Sequence, residues 1–465
     1  MGIRTEVTVD HPRDEVFAWH ARPGAIRRLM PAALGFTVLD EAASLRDGTA
    51  VLALPGGLRW LARHDPDAYQ PGARFVDQVV RGRDPRSWPP ASIRWRHTHT
   101  LTDVGDGTTR SIDHIDTPVP AAALRPGLIY RHRQLRDDLD AHRRARALAD
   151  RPSAVAIADA TSPADPAGLG SVAAMLAAYL STGGVDPVAI DARTGVRHGR
   201  LPLGTSPTAA GDGAPVDGTT DAAATPDALV VLGDDADAIR HAVTTVLAPH
   251  RSDPDSSNLR TLVTVSPADV PPPRLSLTDS TPFAGLRHVH LAVGVVVAAD
   301  TLGRPVADPG SPRGSAAAGT AGADQVWWID IDDLLDAILL ALCGPTLGTR
   351  IGAPADDRAP VIAAVAPEPL AVASYQQAIT AARSPVDRAR SAITATVRPF
   401  AGLQPIGRRL RGSTRPLRLT PPPPAATRLA DTGHVFRRTS PTVAARHQAG
   451  HPVENEDEGT ATAPA

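Results

Sequence analysis

The sequence predicts two domains of different class: an α+β module in which an antiparallel sheet holds one long helix, then an α/β module built on a parallel sheet covered on both faces. Three observations predict this. Residues 1–150 alternate short strand-like runs with tight-turn signals and close on one long amphipathic stretch. Beyond Arg151-Pro152 the strand candidates are apolar throughout and alternate with helices, the pattern of a buried parallel sheet. Residues 153–193 run strand, Gly-bearing loop, helix, strand, the order in which a Rossmann-type sheet builds a dinucleotide cradle.

With 465 residues the chain exceeds one core, at a prior of roughly 100 to 200 residues per domain. Aromatics are only 3% of it, so the core must be made of Ala, Val, Leu and Ile. The 48 basic residues, all arginine, nearly cancel the 50 acidic ones, and no global field recruits nucleic acid or an anionic membrane. The absence of lysine removes lysine bases and Schiff bases. No signal-peptide core opens the sequence and no apolar run reaches the roughly 18 residues of a membrane span, so a cytoplasmic protein is expected. The one cysteine, Cys343, lies near the end of an apolar helix and is expected to be an inert core thiol.

In the first module Val7 and Val9 alternate with polar residues as an opening strand, and Asp14-Glu15 starts a short helix. Strands are predicted near 36–39, 49–54, 58–62, 74–80, 93–101 and 108–117, separated by turn signals such as Pro55-Gly56-Gly57 and Asp106-Gly107. From Leu124 to about Ala147, Leu128, His132, Leu135, Leu139 and His142 recur at helical spacing and form one face. A curved sheet around such a helix leaves a cavity suited to a small apolar ligand. His97 and His99, two apart on one strand, face the same side as Trp95. Three readings stay open for them: metal ligands, cavity lining, or partly exposed histidines. No third ligand is fixed by spacing and no metal is assigned. His132 and His142 are secondary acid-base candidates.

In the second module buried strands are predicted at 154–157, 188–190, 228–232, 261–265 and 289–297, with helices at 171–180 and 235–247. The segments near 194–226, 250–258, 267–284 and 300–325 have the composition of solvated loops. Asp330-Ile331-Asp332-Asp333 is an acidic helix start ahead of Leu334, Leu335, Ile338 and Leu342. Arg408, Arg409, Arg411, Arg415 and Arg418 have no aromatic partners between them and are expected to form a solvated face. The acidic end, residues 446–465, is expected to be a disordered tail.

The phrases Arg22-Pro23-Gly24-Ala25, Leu54-Pro55-Gly56-Gly57-Leu58-Arg59-Trp60, Trp95-Arg96-His97-Thr98-His99 and Tyr130-Arg131-His132 resemble the SRPBCC (START-like, polyketide cyclase-like) superfamily, in the version fused ahead of bacterial epimerase-like proteins. Trp328-Ile329-Asp330-Ile331-Asp332-Asp333, Val365-Ala366-Pro367-Glu368-Pro369 and Thr427 to Phe436 resemble atypical short-chain dehydrogenase/reductase epimerases of the nucleoside-diphosphate-sugar class, with Asp330 where that family has His. The resemblance implies a helix-grip domain at 1–150, a Rossmann-like epimerase domain at 151–345, a small C-terminal subdomain at 346–445, and NAD or NADP as cofactor.

Carried over residue by residue, the resemblance implies a cofactor contact set of Gly168, Gly170 and Ser171 at the helix start, with Asp191 toward a ribose and Arg193 toward a 2'-phosphate. The family's Thr-Gly-Ala-x-Gly falls at Ala158-Asp159-Ala160-Thr161-Ser162 and lacks both glycines, and Pro163, Asp165 and Pro166 follow. Each proline removes an N–H donor, and each aspartate places charge against a phosphate. Ser266 is followed by Pro267 and by no tyrosine or lysine, so no proton carrier is expected near it and no catalytic residue is assigned. Two functions follow: a catalytically degenerate epimerase-family protein that keeps a ligand cavity in its first domain, or an active NAD(P)-dependent epimerase or oxidoreductase with an atypical loop.

Overall fold

The computed structural model describes residues 2–31, 36–54, 58–80, 94–162, 169, 171–200, 225–252, 258–273, 286–298, 325–344, 349–350, 360–382 and 422–449. The first module runs β1 (Gly2–Val9), α1 (Arg13–Ala21), α2 (Ala25–Leu29), β2 (Thr37–Asp40), β3 (Thr49–Ala53), β4 (Arg59–His64), β5 (Arg74–Val79), β6 (Arg96–Gly105), β7 (Thr108–Asp116) and α3 (Ala121–Arg146). Its seven strands form one antiparallel sheet in the order β1-β7-β6-β5-β4-β3-β2. The β6–β7 hairpin turns at Gly105-Asp106-Gly107, where all three residues have positive φ. Along β7 alternate residues Thr109, Ser111, Asp113 and Ile115 are buried, the period-two signature of a one-sided sheet. The stripe Leu128, His132, Leu135, Leu139 and His142 of α3 is buried, as its spacing predicts.

The second module runs β8 (Ala154–Ala160), α4 (Val172–Gly183), β9 (Asp186–Ile190), β10 (Arg197–Arg200), β11 (Ala228–Gly233), α5 (Ala236–Ser252), β12 (Thr261–Pro267), β13 (Arg287–Val293), β14 (Val295–Val297), β15 (Gln325–Val326), β16 (Trp328–Asp330), α6 (Ile331–Cys343), β17 (Thr349–Arg350), β18 (Val361–Ala364), β19 (Leu370–Ala371), α7 (Val372–Ala382), β20 (Thr427–Arg428) and α8 (Pro441–Gln448). The main sheet has the order β10-β9-β8-β11-β12-β13-β18-β20, with β17 also on β13. Its strands are parallel except β10 and β17. Both faces are covered by apolar clusters, one centred on α4 and α6 and the other on α5.

Three sequence expectations change. Residues 197–200, placed in a solvated loop, form β10 against β9. The single run 289–297 breaks at Gly294 into β13, in the main sheet, and β14, which pairs with β16. A Cβ at Gly294 would sit 2.3 Å from the Trp327 carbonyl oxygen, so only glycine permits that close approach. Residues 361–364 and 427–428, expected outside the Rossmann-like domain, give the main sheet β18 and β20. A separate cluster joins β14, β16, α7 and α8 through Val295, Trp328, Tyr375 and Ala444. Cys343 is fully buried, and burial pushes its thiol up to about 12.

The two modules meet through buried charge. Arg28 on α2 donates two hydrogen bonds to Asp138 on α3, at 2.8 and 2.7 Å, and one to Asp332 on α6 at 2.7 Å. Arg437 grips Asp336 with two bonds of 2.7 Å and reaches Asp138 at 2.8 Å. Arg438 holds Asp330 and Asp332, both at 3.0 Å. The Asp330 carboxylate also caps α6 by accepting from the Asp332 N–H at 2.9 Å, the role its acidic start predicts. Beside this network Arg22 donates to the Thr182 carbonyl at 2.8 Å, and Gly24, at φ 96°, lies against Ala178 of α4. Arg22-Pro23-Gly24-Ala25 thus belongs to the joint between domains.

Candidate functional site

Between the first sheet and α3 lies a cavity of about 680 Å³, within the ordinary range for small-molecule sites. Leu52, Trp60, Phe75, Trp95, Ile115 and Leu128 line its apolar walls, and Trp60 and Trp95 meet edge to face with centroids 5.2 Å apart. At one end the wall becomes polar, with Asp77, His97 and His99. Both histidines are buried, so the reading of them as partly exposed is set aside and cavity lining holds. The backbone register explains the grouping: Asp77 of β5 pairs with His97 of β6, and His99 pairs with Asp113 of β7.

Asp113 is the anchor. Its carboxylate lies 3.1 Å from His97 Nε2, 2.7 Å from His99 Nδ1 and 2.8 Å from His132 Nε2. Burial alone would raise its pKa, but the His99 charge and the hydrogen bonds from His132, His97 and His99 hold it well below the usual carboxylate range. Burial, with His99 close by, lowers His97 to about 4. His99 goes the other way, because Asp113 and Asp77 outweigh its own burial. On the far side of the two rings, Asp77 Oδ2 is 3.6 Å from His97 Nδ1 and 3.5 Å from His99 Nε2. Phe75 stacks on His99 at 4.3 Å and fixes its plane. The pair His97/His99 was legible in the sequence. Asp77 and Asp113 were not, because only strand register brings them to it. His132 joins this site. His142 instead stacks on Tyr179 at the domain joint, with its pKa lowered to about 3 by burial.

In the second module Ser171 is the N-cap of α4, and Asp191 and Arg193 lie on the turn after β9. Because β8 and β9 are parallel neighbours, these positions share the carboxyl end of the sheet with Asp159 to Ser162. Gly168 and Gly170 lie outside the described residues, as do Pro163, Asp165 and Pro166. Asp191 accepts from the backbone N–H groups of Arg193 and Thr194, at 2.8 and 2.9 Å, so one carboxylate oxygen closes its own turn. Two N–H groups of the cradle loop are also taken: Thr161 donates to Asp159 at 3.0 Å, and Ser162 donates to Asp234, beyond β11, at 3.0 Å. A pyrophosphate needs such donors and repels both carboxylates. The described part of this loop therefore does not fit a dinucleotide.

The expectation that no base stands near Ser266 is corrected. His290, on the neighbouring strand, has Nε2 3.3 Å from Ser266 Oγ and Nδ1 2.9 Å from Thr264 Oγ1. Burial lowers His290 to about 4, so it is neutral near pH 7. Sequence reasoning passed over it because 24 residues separate the pair. Ser266 and His290 are both fully buried.

No protein-family model matches the chain, and no curated protein matches it. Among solved structures, the nucleoside-diphosphate sugar epimerase from Corynebacterium glutamicum superposes with a TM-score of 0.62 at 25% identity, over 96% of this chain and 90% of that one. The chain shares the fold of that epimerase over nearly its whole length. Partial matches include a protein from Chromobacterium violaceum (21% identity, TM-score 0.23, 29% of this chain and 93% of that one). Another is the di-domain ARO/CYC BexL of the BE-7585A biosynthetic pathway (14% identity, TM-score 0.22, 30% and 46%). The second module carries the mostly parallel Rossmann-like sheet, and the first carries the antiparallel sheet and α3. No helix among the described residues is long and apolar enough to cross a membrane.

Proposed function

We propose that the protein binds a small, largely apolar ligand in its START-like domain and that its epimerase-like half serves as a scaffold without turnover. The observation that carries this reading is the 680 Å³ cavity, apolar and aromatic on its walls and polar at one end. Degeneracy of the second half is supported by the cradle, where Asp159 and Asp234 occupy backbone donors that a pyrophosphate requires. The domain division expected at residue 150 belongs to this proposal, as does a small C-terminal subdomain that holds α7 and α8, while β18 and β20 stay with the main sheet.

The alternative is an active NAD(P)-dependent epimerase or oxidoreductase. It draws on the likeness to the epimerase over 96% of the chain and on the Ser266–His290 contact. Titration of the full chain with NADPH and NADH, followed by nicotinamide fluorescence and calorimetry, separates the two. The scaffold reading expects no saturable binding at micromolar cofactor. In parallel, 1-anilinonaphthalene-8-sulfonate should bind saturably and change the fluorescence of Trp60 and Trp95. Tight NADPH binding overturns the scaffold half of the proposal, and indifference to the apolar probe overturns the ligand half.

A further inference from the structure

The polar end of the cavity brings two imidazoles against two carboxylates. A carboxylate only accepts, so the histidine nitrogens facing Asp113 carry the protons. In neutral imidazoles the opposite nitrogens, His97 Nδ1 and His99 Nε2, are then bare. Those two lone pairs converge on Asp77 Oδ2, 3.6 and 3.5 Å away, and the three atoms all lie within 4.8 Å of one another. Three such converging atoms need a positive charge between them, which either a proton shared by His99 and Asp77 or a metal ion supplies.

We propose that Asp77, His97 and His99 bind a divalent transition-metal ion of the zinc class, with Asp113 as the outer carboxylate that orients both imidazoles. Ligand atoms about 2.0–2.1 Å from a tetrahedral zinc are about 3.3–3.4 Å apart, so a contraction of a few tenths of an ångström closes the site on both Asp77 edges. The Asp113 contacts at 3.1 and 2.7 Å are the second layer such histidines need, fixing tautomer and ring plane. Arg131 is a cation bearing on His99, but the carboxylates of Asp77 and Asp113 outnumber it. All three ligands line the cavity, so the ion's remaining position opens toward it and takes water or an oxygen of a bound molecule. Without metal, a proton on His99 is the competitor, and binding must release it.

The test uses the full chain stripped with a chelator and titrated with cobalt(II) or zinc(II) alone. Cobalt is expected to give saturable visible d–d absorption at one ion per chain, displaced by zinc and weakened on acidification. Asp77→Asn and His99→Gln should each abolish the band, while Asp113→Asn should weaken binding about 10- to 100-fold. Imidazole nitrogen spectra of the unaltered protein decide independently of whether the variants fold, since zinc should shift His97 Nδ1 and His99 Nε2. Absence of a saturable band, unmoved His97 and His99 nitrogens, or undiminished binding in a folded Asp77→Asn or His99→Gln variant overturns the assignment. No organic ligand enters the titration, so its failure and that of the apolar-ligand reading are distinguishable.

Discussion

Replacing Arg28 with methionine tests whether the two domains are held as one body by buried charge. Arg28 is fully buried and donates three short hydrogen bonds, two to Asp138 and one to Asp332. Methionine keeps much of the volume and removes the charge, leaving two buried carboxylates short of a partner. Breaking a buried pair from one side costs about 3–5 kcal/mol, whereas an exposed pair is worth about 0–1 kcal/mol. Arg437 still reaches Asp138 and Arg438 still reaches Asp332, so the lower end of the buried range, about 3 kcal/mol, is expected. Urea unfolding followed by far-ultraviolet circular dichroism and tryptophan fluorescence measures it. The double variant with Asp138→Leu should recover part of the loss, because the charge left unpaired is then gone as well. A loss below about 1 kcal/mol, with strict additivity in the double variant, would refute the network as the joint.

Further outcomes follow from the same geometry. Asp330 is pushed up to about 7 by burial, with Asp332 and Asp333 adding to it and Arg438 opposing, so its contribution is full below about pH 4, the ordinary carboxylate range, and is lost as pH rises through 7. Asp330→Asn should therefore flatten the decline in stability between about pH 4 and 7 in thermal melts. Asp332 and Asp138 are depressed by Arg28, Arg438 and Arg437 against their burial, so stability they supply at neutral pH should fall away on acidification below about pH 4, seen as a falling denaturation midpoint. Gly24→Ala puts a Cβ 2.7 Å from the Ala178 backbone at a φ of 96°, and a loss of about 1–3 kcal/mol is expected in urea titration. Ala50→Phe on the cavity wall should weaken binding of 1-anilinonaphthalene-8-sulfonate about tenfold, or about 1.4 kcal/mol, while the fold is kept.

Much of the architecture is written locally. Alternation along β7, the stripe of α3 and the apolar runs of β8, β11 and β12 each depend on neighbours within a few residues, so the sequence by itself determined the class of each sheet, the long helix and the cap at Asp330. It also showed that the cradle loop carries Asp159 and Ser162 where the resembled family has glycines, with Pro163, Asp165 and Pro166 following. That Asp159 takes the Thr161 N–H, and that Asp234 from beyond β11 takes the Ser162 N–H, required the fold.

Tertiary structure decided what long separation hides. Arg28 and Asp332 are 304 positions apart, and nothing in either stretch marks it for the other. A charge is legible as a charge, but its cost or worth depends on which opposite charge shares its desolvation. The same holds for the cavity's polar end. His97 and His99 stand out by their spacing of two, whereas Asp77 and Asp113 reach them through the register of β5 and β7 against β6. Register depends on the pairing of whole strands, so the number of ligands at that site became countable only when the sheet was assembled.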